Sequence, residues 1–122
     1  MKLLKCKNCG AVVRVIDDCN CGDCGITCCG DAMVELKENS VDASFEKYLP
    51  QYKVVDDKIE VIVPHVMEED HYIEFISYEH DNTIETVSFT YKDSPKAIFN
   101  YYKGSTLYSY CNKHSLWKTD VE

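Results

Sequence analysis

The sequence predicts a mainly β protein in two parts: a small cysteine-rich metal module, then an antiparallel β-sandwich. Three observations carry this reading. Seven of the eight cysteines crowd between Cys6 and Cys29. From residue 45 onward the chain breaks into about seven short runs rich in β-branched and aromatic residues, separated by turn signals, a spacing that suggests a sandwich. Three of the four histidines and the remaining cysteine fall in two motifs, His65-Val-Met-Glu-Glu-Asp-His71 and Cys111-Asn-Lys-His114. No long helical period, internal repeat or low-complexity stretch competes with it.

The first part, 1–37, is too short to bury much core, so a bound metal is expected to supply the missing stability. Cys6-Lys-Asn-Cys9 lets two sulfurs converge on one ion, commonly zinc or iron. The vicinal pair Cys28-Cys29 is less usual. Neighbouring side chains of an extended chain point to opposite faces, so bringing both to one ion requires a bent backbone. Cys19, Cys21 and Cys24 form a further trio, read first as spare or redox thiols because no fourth nearby ligand completes a separate site; alternative ligands are the other reading. Which four of the seven cysteines bind is open at this level, as is the choice between a structural zinc and a redox iron.

Glu38-Asn39-Ser40 reads as the exit of this module, and 38–122 as the second domain. Ile59–Val63 and 72–78 read as strands by their β-branched and aromatic content. Residues 83–91 alternate apolar and polar side chains, the period of a half-buried strand. Asp56-Asp57 between 52–55 and 59–63, and His80-Asp-Asn-Thr between 72–78 and 83–91, read as hairpin turns. Residues 97–102 and 106–110 flank a further turn at Lys103-Gly104-Ser105. The aromatic residues are read mostly as core, with Trp117 packing beneath the Cys111–His114 loop.

Composition narrows the function. The net charge of −8, without a basic run, argues against a nucleic-acid partner. The same field repels small anions, so chemistry on an anion needs a local positive group. No apolar run approaches the roughly 20 residues that span a bilayer, and the N-terminus lacks a signal-peptide core. A reducing, cytoplasmic setting is therefore expected, where clustered cysteines bind metal or do redox work, rather than a disulfide-rich secreted protein. Imidazole and thiolate suit borderline and soft transition metals.

Taken in order, these motifs resemble the desulfoferrodoxin family, the two-domain form of superoxide reductase, along almost the whole chain. Cys6-x-x-Cys9 and Cys28-Cys29-Gly30-Asp-Ala-Met33 resemble its desulforedoxin domain, a rubredoxin-type module. Phe45-Glu46-Lys47, His65-x-Met67-Glu68-Glu69-x-His71-x-Ile73-Glu74-x-Ile76 and Cys111-Asn112-x-His114-x-x-Trp117 resemble its neelaredoxin-type catalytic domain, an immunoglobulin-like sandwich. The resemblance implies one iron held by Cys6, Cys9, Cys28 and Cys29. It implies a second held in plane by His65, His71 and His114, with Cys111 axial. It makes Glu46 the carboxylate that approaches the open position and Lys47 the group that attracts superoxide and aids proton delivery. It implies a rubredoxin-like electron donor and a homodimer.

One position departs from the pattern. The family's first histidine follows the Glu-Lys pair directly, and Tyr48 stands there. Val66 also replaces the family's usual proline. His80, in a turn, does not replace the missing ligand. The second centre is thus expected to lose a ligand, to take a phenolate oxygen from Tyr48, or to recruit water. Three nitrogens and a sulfur would also suit tetrahedral zinc. The readings carried forward are a superoxide reductase with an altered iron shell and a non-catalytic iron- or zinc-binding electron-transfer protein on the same scaffold.

Overall fold

A computed structural model describes residues 1–22, 25–39 and 48–122. Cys24, Glu46 and Lys47 lie outside the described residues. Contacts divide the chain into two compact units, Met1–Lys37 and Glu38–Glu122. No helix among the described residues is long and apolar enough to cross a membrane.

The first unit is a scaffold of short strands: β1 (Lys2–Lys5), β2 (Val12–Val15), β3 (Thr27–Cys28), β4 (Asp31–Ala32) and β5 (Val34–Glu35). β1 pairs antiparallel with β2 on one side and β5 on the other, and β3 with β4 in a separate hairpin. Among its described residues only Leu3, Leu4 and Cys6 are buried. Three side chains cannot offset the entropy of ordering a module this size, so its stability must come from elsewhere.

The second unit is the predicted sandwich. Its strands are β6 (Gln51–Val55), β7 (Lys58–Ile62), β8 (Ile73–His80), β9 (Thr83–Ser88), β10 (Lys96–Asn100), β11 (Thr106–Cys111) and β12 (Ser115–Asp120). They form two antiparallel sheets, β10-β7-β6 and β12-β11-β8-β9. Ile59, Val61 and Val63, two residues apart, point from the first sheet into one core. They meet Ala97 and Phe99 of β10, Ile73, Ile76 and Tyr78 of β8, and Leu107 and Cys111 of β11. Cys111 is therefore part of the hydrophobic core as well as a candidate ligand.

Both predicted hairpins are present, the second with only Asp81-Asn82 in its loop, since His80 and Thr83 pair as strand ends. Asp56 and Asp81 take the left-handed conformation at their first turn positions, with φ of 57° and 52°. The third turn differs in kind. β10 pairs with β7 and β11 with β8, so the Lys103-Gly104-Ser105 turn carries the chain from one sheet to the other. The Tyr78 hydroxyl anchors this crossover, accepting the Tyr102 N–H at 2.9 Å and meeting the Ser105 hydroxyl at 2.9 Å. The predicted 83–91 strand stops at Ser88, because the Asp93 carboxylate accepts the Thr90 N–H at 2.7 Å and turns the chain. His80 is the last residue of β8, bonded to Glu85 at 2.9 Å and stacked on Tyr102.

Candidate metal centres

The first cluster is built by local turns. After β1 the chain folds over Cys6: its carbonyl accepts the Gly10 N–H at 3.0 Å and its N–H bonds the Ala11 carbonyl at 2.9 Å. The N–H groups of Asn8 and Cys9 both point at Cys6 Sγ, each at 3.4 Å. These donors stabilise a thiolate. With the Cys9 N–H contributing most, they pull the Cys6 thiol down to about 6 from 9.0. The opposing pair sits on the β3–β4 hairpin. Cys29 and Gly30 are its two central residues, with φ of 53° and 81°. Positive φ at both positions defines a type I′ turn. This is the bend that vicinal cysteines demand, and Gly30 supplies the half that a side chain would strain. Asn8 Nδ2 donates to Asp31 Oδ2 at 2.7 Å, tying the two turns together.

The ligand atoms of Cys6, Cys9, Cys28 and Cys29 all lie within 4.8 Å of one another. Cys9 Sγ is 3.7 Å from Cys28 Sγ, and Cys28 Sγ is 3.9 Å from Cys29 Sγ. Sulfurs bound at about 2.3 Å to one tetrahedral ion stand about 3.8 Å apart, so the four thiols fit an iron or zinc ion. Cys28 is held up to about 12, chiefly by the neighbouring Cys6 and Cys9 sulfurs. Four thiols this close resist giving up all their protons unless a cation replaces them.

The second cluster is built by sheet register. Cys111 ends β11, where the pairing with β8 shifts by one residue between Tyr110 and Cys111. A bulge of this kind re-aims a side chain. A three-residue turn follows, closed by Ser115 at φ 66°, and presents His114 beside Cys111. His71 closes a tight bridge in which the Glu68 and His71 backbones exchange two hydrogen bonds, each of 3.0 Å. The two loops are stapled by Asn112: its Oδ1 accepts the Tyr72 N–H at 3.0 Å and its Nδ2 donates to the Asp70 carbonyl at 2.9 Å. In the sequence Asn112 is one position of the Cys111–Trp117 motif; its role is visible only once the loops are side by side. Trp117, fully buried, donates its indole N–H to the His114 carbonyl at 2.8 Å, which fixes the loop from beneath as expected.

Ligand atoms of His65, His71, Cys111 and His114 lie within 4.8 Å of one another. Cys111 Sγ is 3.4 Å from His65 Nε2 and 3.6 Å from His114 Nδ1, and His71 Nε2 is 3.1 Å from His114 Nδ1. Donors about 2.0–2.3 Å from a common ion stand about 3.0–3.7 Å apart, so these four fit one metal. His65 Nδ1 bonds the Val66 carbonyl, which sets its tautomer and leaves the Nε2 lone pair facing the cluster. Burial lowers the pKa of both His65 and His114; His71 and His114 add to the effect on His65, and His71 and Lys113 to that on His114. Burial raises that of Cys111. The apo site thus favours neutral imidazoles, ready to coordinate, and a thiol that would release its proton to a metal.

Tyr48 lies against this cluster. Its ring centroid is 4.5 Å from that of His114 and 5.2 Å from that of His65, and it stacks on Trp117 at 5.3 Å and 19°. The Ser109 hydroxyl, inside the core, donates to the Tyr48 carbonyl at 2.7 Å and sets its position. Burial, with the Cys111 sulfur nearby, raises the phenol's pKa. Among the described residues His80 is not part of the cluster.

Fold and donor sets define a small β protein with two separate thiolate-containing candidate metal centres, one in each unit. Comparison with known proteins narrows this. The Desulfoferrodoxin family profile matches residues 41–120. Desulfoferrodoxin from Syntrophotalea carbinolica is 34% identical over 98% of this chain and 96% of its own. Desulfoferrodoxin from Clostridium acetobutylicum is 32% identical over 94% and 92%. The chain belongs to the desulfoferrodoxin family. Its fold is also that of two solved structures. The superoxide reductase from Treponema pallidum superposes with a TM-score of 0.70 at 21% identity, covering 95% of this chain and 98% of the other. The superoxide reductase from Giardia intestinalis gives 0.55 at 24% identity, covering 63% and 98%.

Proposed function

We propose that this protein is a superoxide reductase whose catalytic centre is the cluster of His65, His71, His114 and Cys111. The observation that carries the reading is the convergence of three imidazoles and one core-buried thiol at metal-ligand spacing in a member of this family. Iron bound there would supply the electron that converts superoxide, with two protons, to hydrogen peroxide. The chain's own part is to hold that electron source beside a thiolate, which raises its donating power, and to bring the anion in. By the family resemblance, Lys47 would attract the anion that a net charge of −8 repels, and its sequence neighbour Glu46 would be the carboxylate that works with it.

The cluster of Cys6, Cys9, Cys28 and Cys29 would hold a second iron, for which zinc could substitute. Electrons come from a rubredoxin-like carrier. The protein works as a cytoplasmic homodimer, the domains being 1–37, desulforedoxin-like, and 38–122, neelaredoxin-like. Tyr48 takes the place of the missing histidine as a neutral wall of the site, stacked on Trp117, and slows turnover. That same substitution favours a second reading, a metal-binding electron-transfer protein without catalysis.

Metal content of protein purified without oxygen separates the two. Two irons per chain support the reductase; zinc or no metal at the second cluster supports the alternative. Replacing Tyr48 by His is expected to raise the rate with superoxide about tenfold or more, the scale on which altered metal surroundings act. An unchanged rate in an iron-loaded Tyr48→His protein would count against a weakened reductase.

A further inference from the structure

The outer face of the three-stranded sheet carries a charge opposite to that of the chain. Strand register sets Gln51, Ile62 and Lys96 side by side in one row, and Lys53, Glu60 and Ile98 in the next. Val55 and Lys58 continue the face in a third row. Alternation along the strands turns these side chains away from Ile59, Val61, Ala97 and Phe99, which are buried in the core. Three lysines against one glutamate give the face a charge of +2, which leaves −10 for the rest of a chain of net −8. Lys53 pairs with Glu60 at 3.7 Å, so Lys58 and Lys96 carry the excess. Between them stand apolar side chains: Ile98 is 67% exposed and Ile62 40%. The six residues of the first two rows line a cavity of about 440 Å³. Exposed isoleucines interleaved with lysines suit a partner that brings carboxylates around an apolar contact.

The same face adjoins the second cluster along the chain. β7 ends at Ile62, and His65 follows Val63 and Pro64, its N–H bonded to the Val63 carbonyl at 2.8 Å. Three residues span at most about 10–11 Å, so an electron arriving at Ile62 is within that reach of His65. The His65 ring in turn meets Cys111 Sγ at 3.4 Å. Area points to a brief contact. Three strands about 4.8 Å apart and five residues long cover about 240 Å². A stable dimer needs about 800 Å² per partner, whereas transient electron-transfer encounters need less.

We propose that the outer face of β10-β7-β6 docks an acidic one-electron carrier protein that reduces the centre of His65, His71, Cys111 and His114. This entry point presupposes the superoxide reductase reading and adds where its electron arrives. One electron leaves the reduced carrier and one reaches the ferric iron of that centre; no bond forms or breaks and no proton moves. The lysine face attracts the carrier while the remaining surface repels it, which orients the encounter.

The test titrates the zinc-loaded, full-length protein with a zinc-loaded rubredoxin of acidic sequence, both diamagnetic, and follows amide chemical shifts. Shifts centred on β6, β7 and β10 are expected, with affinity about tenfold or more weaker in the double variant Lys58→Glu/Lys96→Glu. Lys103→Glu/Lys118→Glu, the same charge change outside the face, should weaken binding far less. Stopped flow then reads the electron: oxidation of reduced iron rubredoxin by the iron-loaded protein should slow by the same factor in the first variant. Above about 0.1 M salt, where charges more than about 10 Å apart are screened, the wild-type rate should fall as salt rises. Peroxide yield from pre-reduced protein tests the reductase reading separately, since no carrier is present. The proposal is overturned if the shifts fall elsewhere, if both variants lose binding alike, or if the wild-type rate rises with salt. It is also overturned if the first variant changes the protein's own mass in solution, which would make the face a contact between copies of the chain. The wild-type shifts and salt dependence decide the matter should a variant not fold.

Discussion

The two donor clusters are made by opposite means. Cys6, Cys9, Cys28 and Cys29 are brought together by two tight turns on a unit in which only three described side chains are buried. His65, His71, Cys111 and His114 are brought together by the register of a sandwich with a continuous core, and one of them, Cys111, belongs to that core. A turn-built site needs its metal to stay folded. A register-built site exists whether or not the metal is there, and so can serve chemistry that changes the metal's charge. The difference also separates the ligand electrostatics. The first cluster sets four sulfurs together that repel one another once ionised, whereas the second combines three imidazoles with a single sulfur.

The largest expected effect breaks the comparison at its root. Stripping both metals with a chelator should unfold 1–37 while leaving the sandwich intact, because only the first unit lacks a core. Amide hydrogen exchange reads this directly: β1 and β2 should lose protection while β8 and β11 keep it. Protection retained in β1 and β2 after complete removal would contradict the account. Next in size, Trp117→Ala removes a fully buried ring and the bond that holds the His114 carbonyl. Urea unfolding should report a loss of about 3–5 kcal/mol in the second unit, as for other buried aromatic truncations. A loss below about 1 kcal/mol would show that the loop does not depend on the core. The smaller effect is Asn112→Ala, which unties the two ligand loops while leaving both sheets in register. Metal affinity of the second cluster should fall about 10–100-fold, as for other residues that orient ligands, with little change in melting temperature. Competition titration against a chromophoric chelator measures it, and an unchanged affinity would assign the staple a purely structural role.

How much of this was legible in the sequence follows the same division. β-Branched content placed a strand at Ile59–Val63, and turn chemistry placed the hairpins at Asp56-Asp57 and His80-Asp-Asn-Thr, because both are short-range signals. The need for a bent backbone at Cys28-Cys29 was visible too; the type I′ turn that satisfies it follows from Gly30. Partnership between strands was not visible. Residues 97–102 and 106–110 flank a turn in the sequence, but nothing local tells that they belong to different sheets, since pairing is decided by core packing across the whole domain. β12 was missed because Ser115–Asp120 alternates too briefly and begins inside the ligand motif. The staple by Asn112 and the stacking of Tyr48 on Trp117 depend on contacts between residues 40 to 69 positions apart. Composition carries no trace of them.

The central claim is that the cluster of His65, His71, Cys111 and His114 reduces superoxide rather than merely holding a metal. Its most direct test is the yield of hydrogen peroxide from superoxide pulsed onto the iron-loaded, pre-reduced protein. A reductase forms one peroxide per superoxide, whereas spontaneous dismutation forms half as much and releases oxygen. We predict a yield near one per superoxide until the second iron is oxidised, lost in Cys111→Ser while the four-cysteine cluster keeps its metal. A yield of one half, or a full yield that survives in Cys111→Ser, would contradict it.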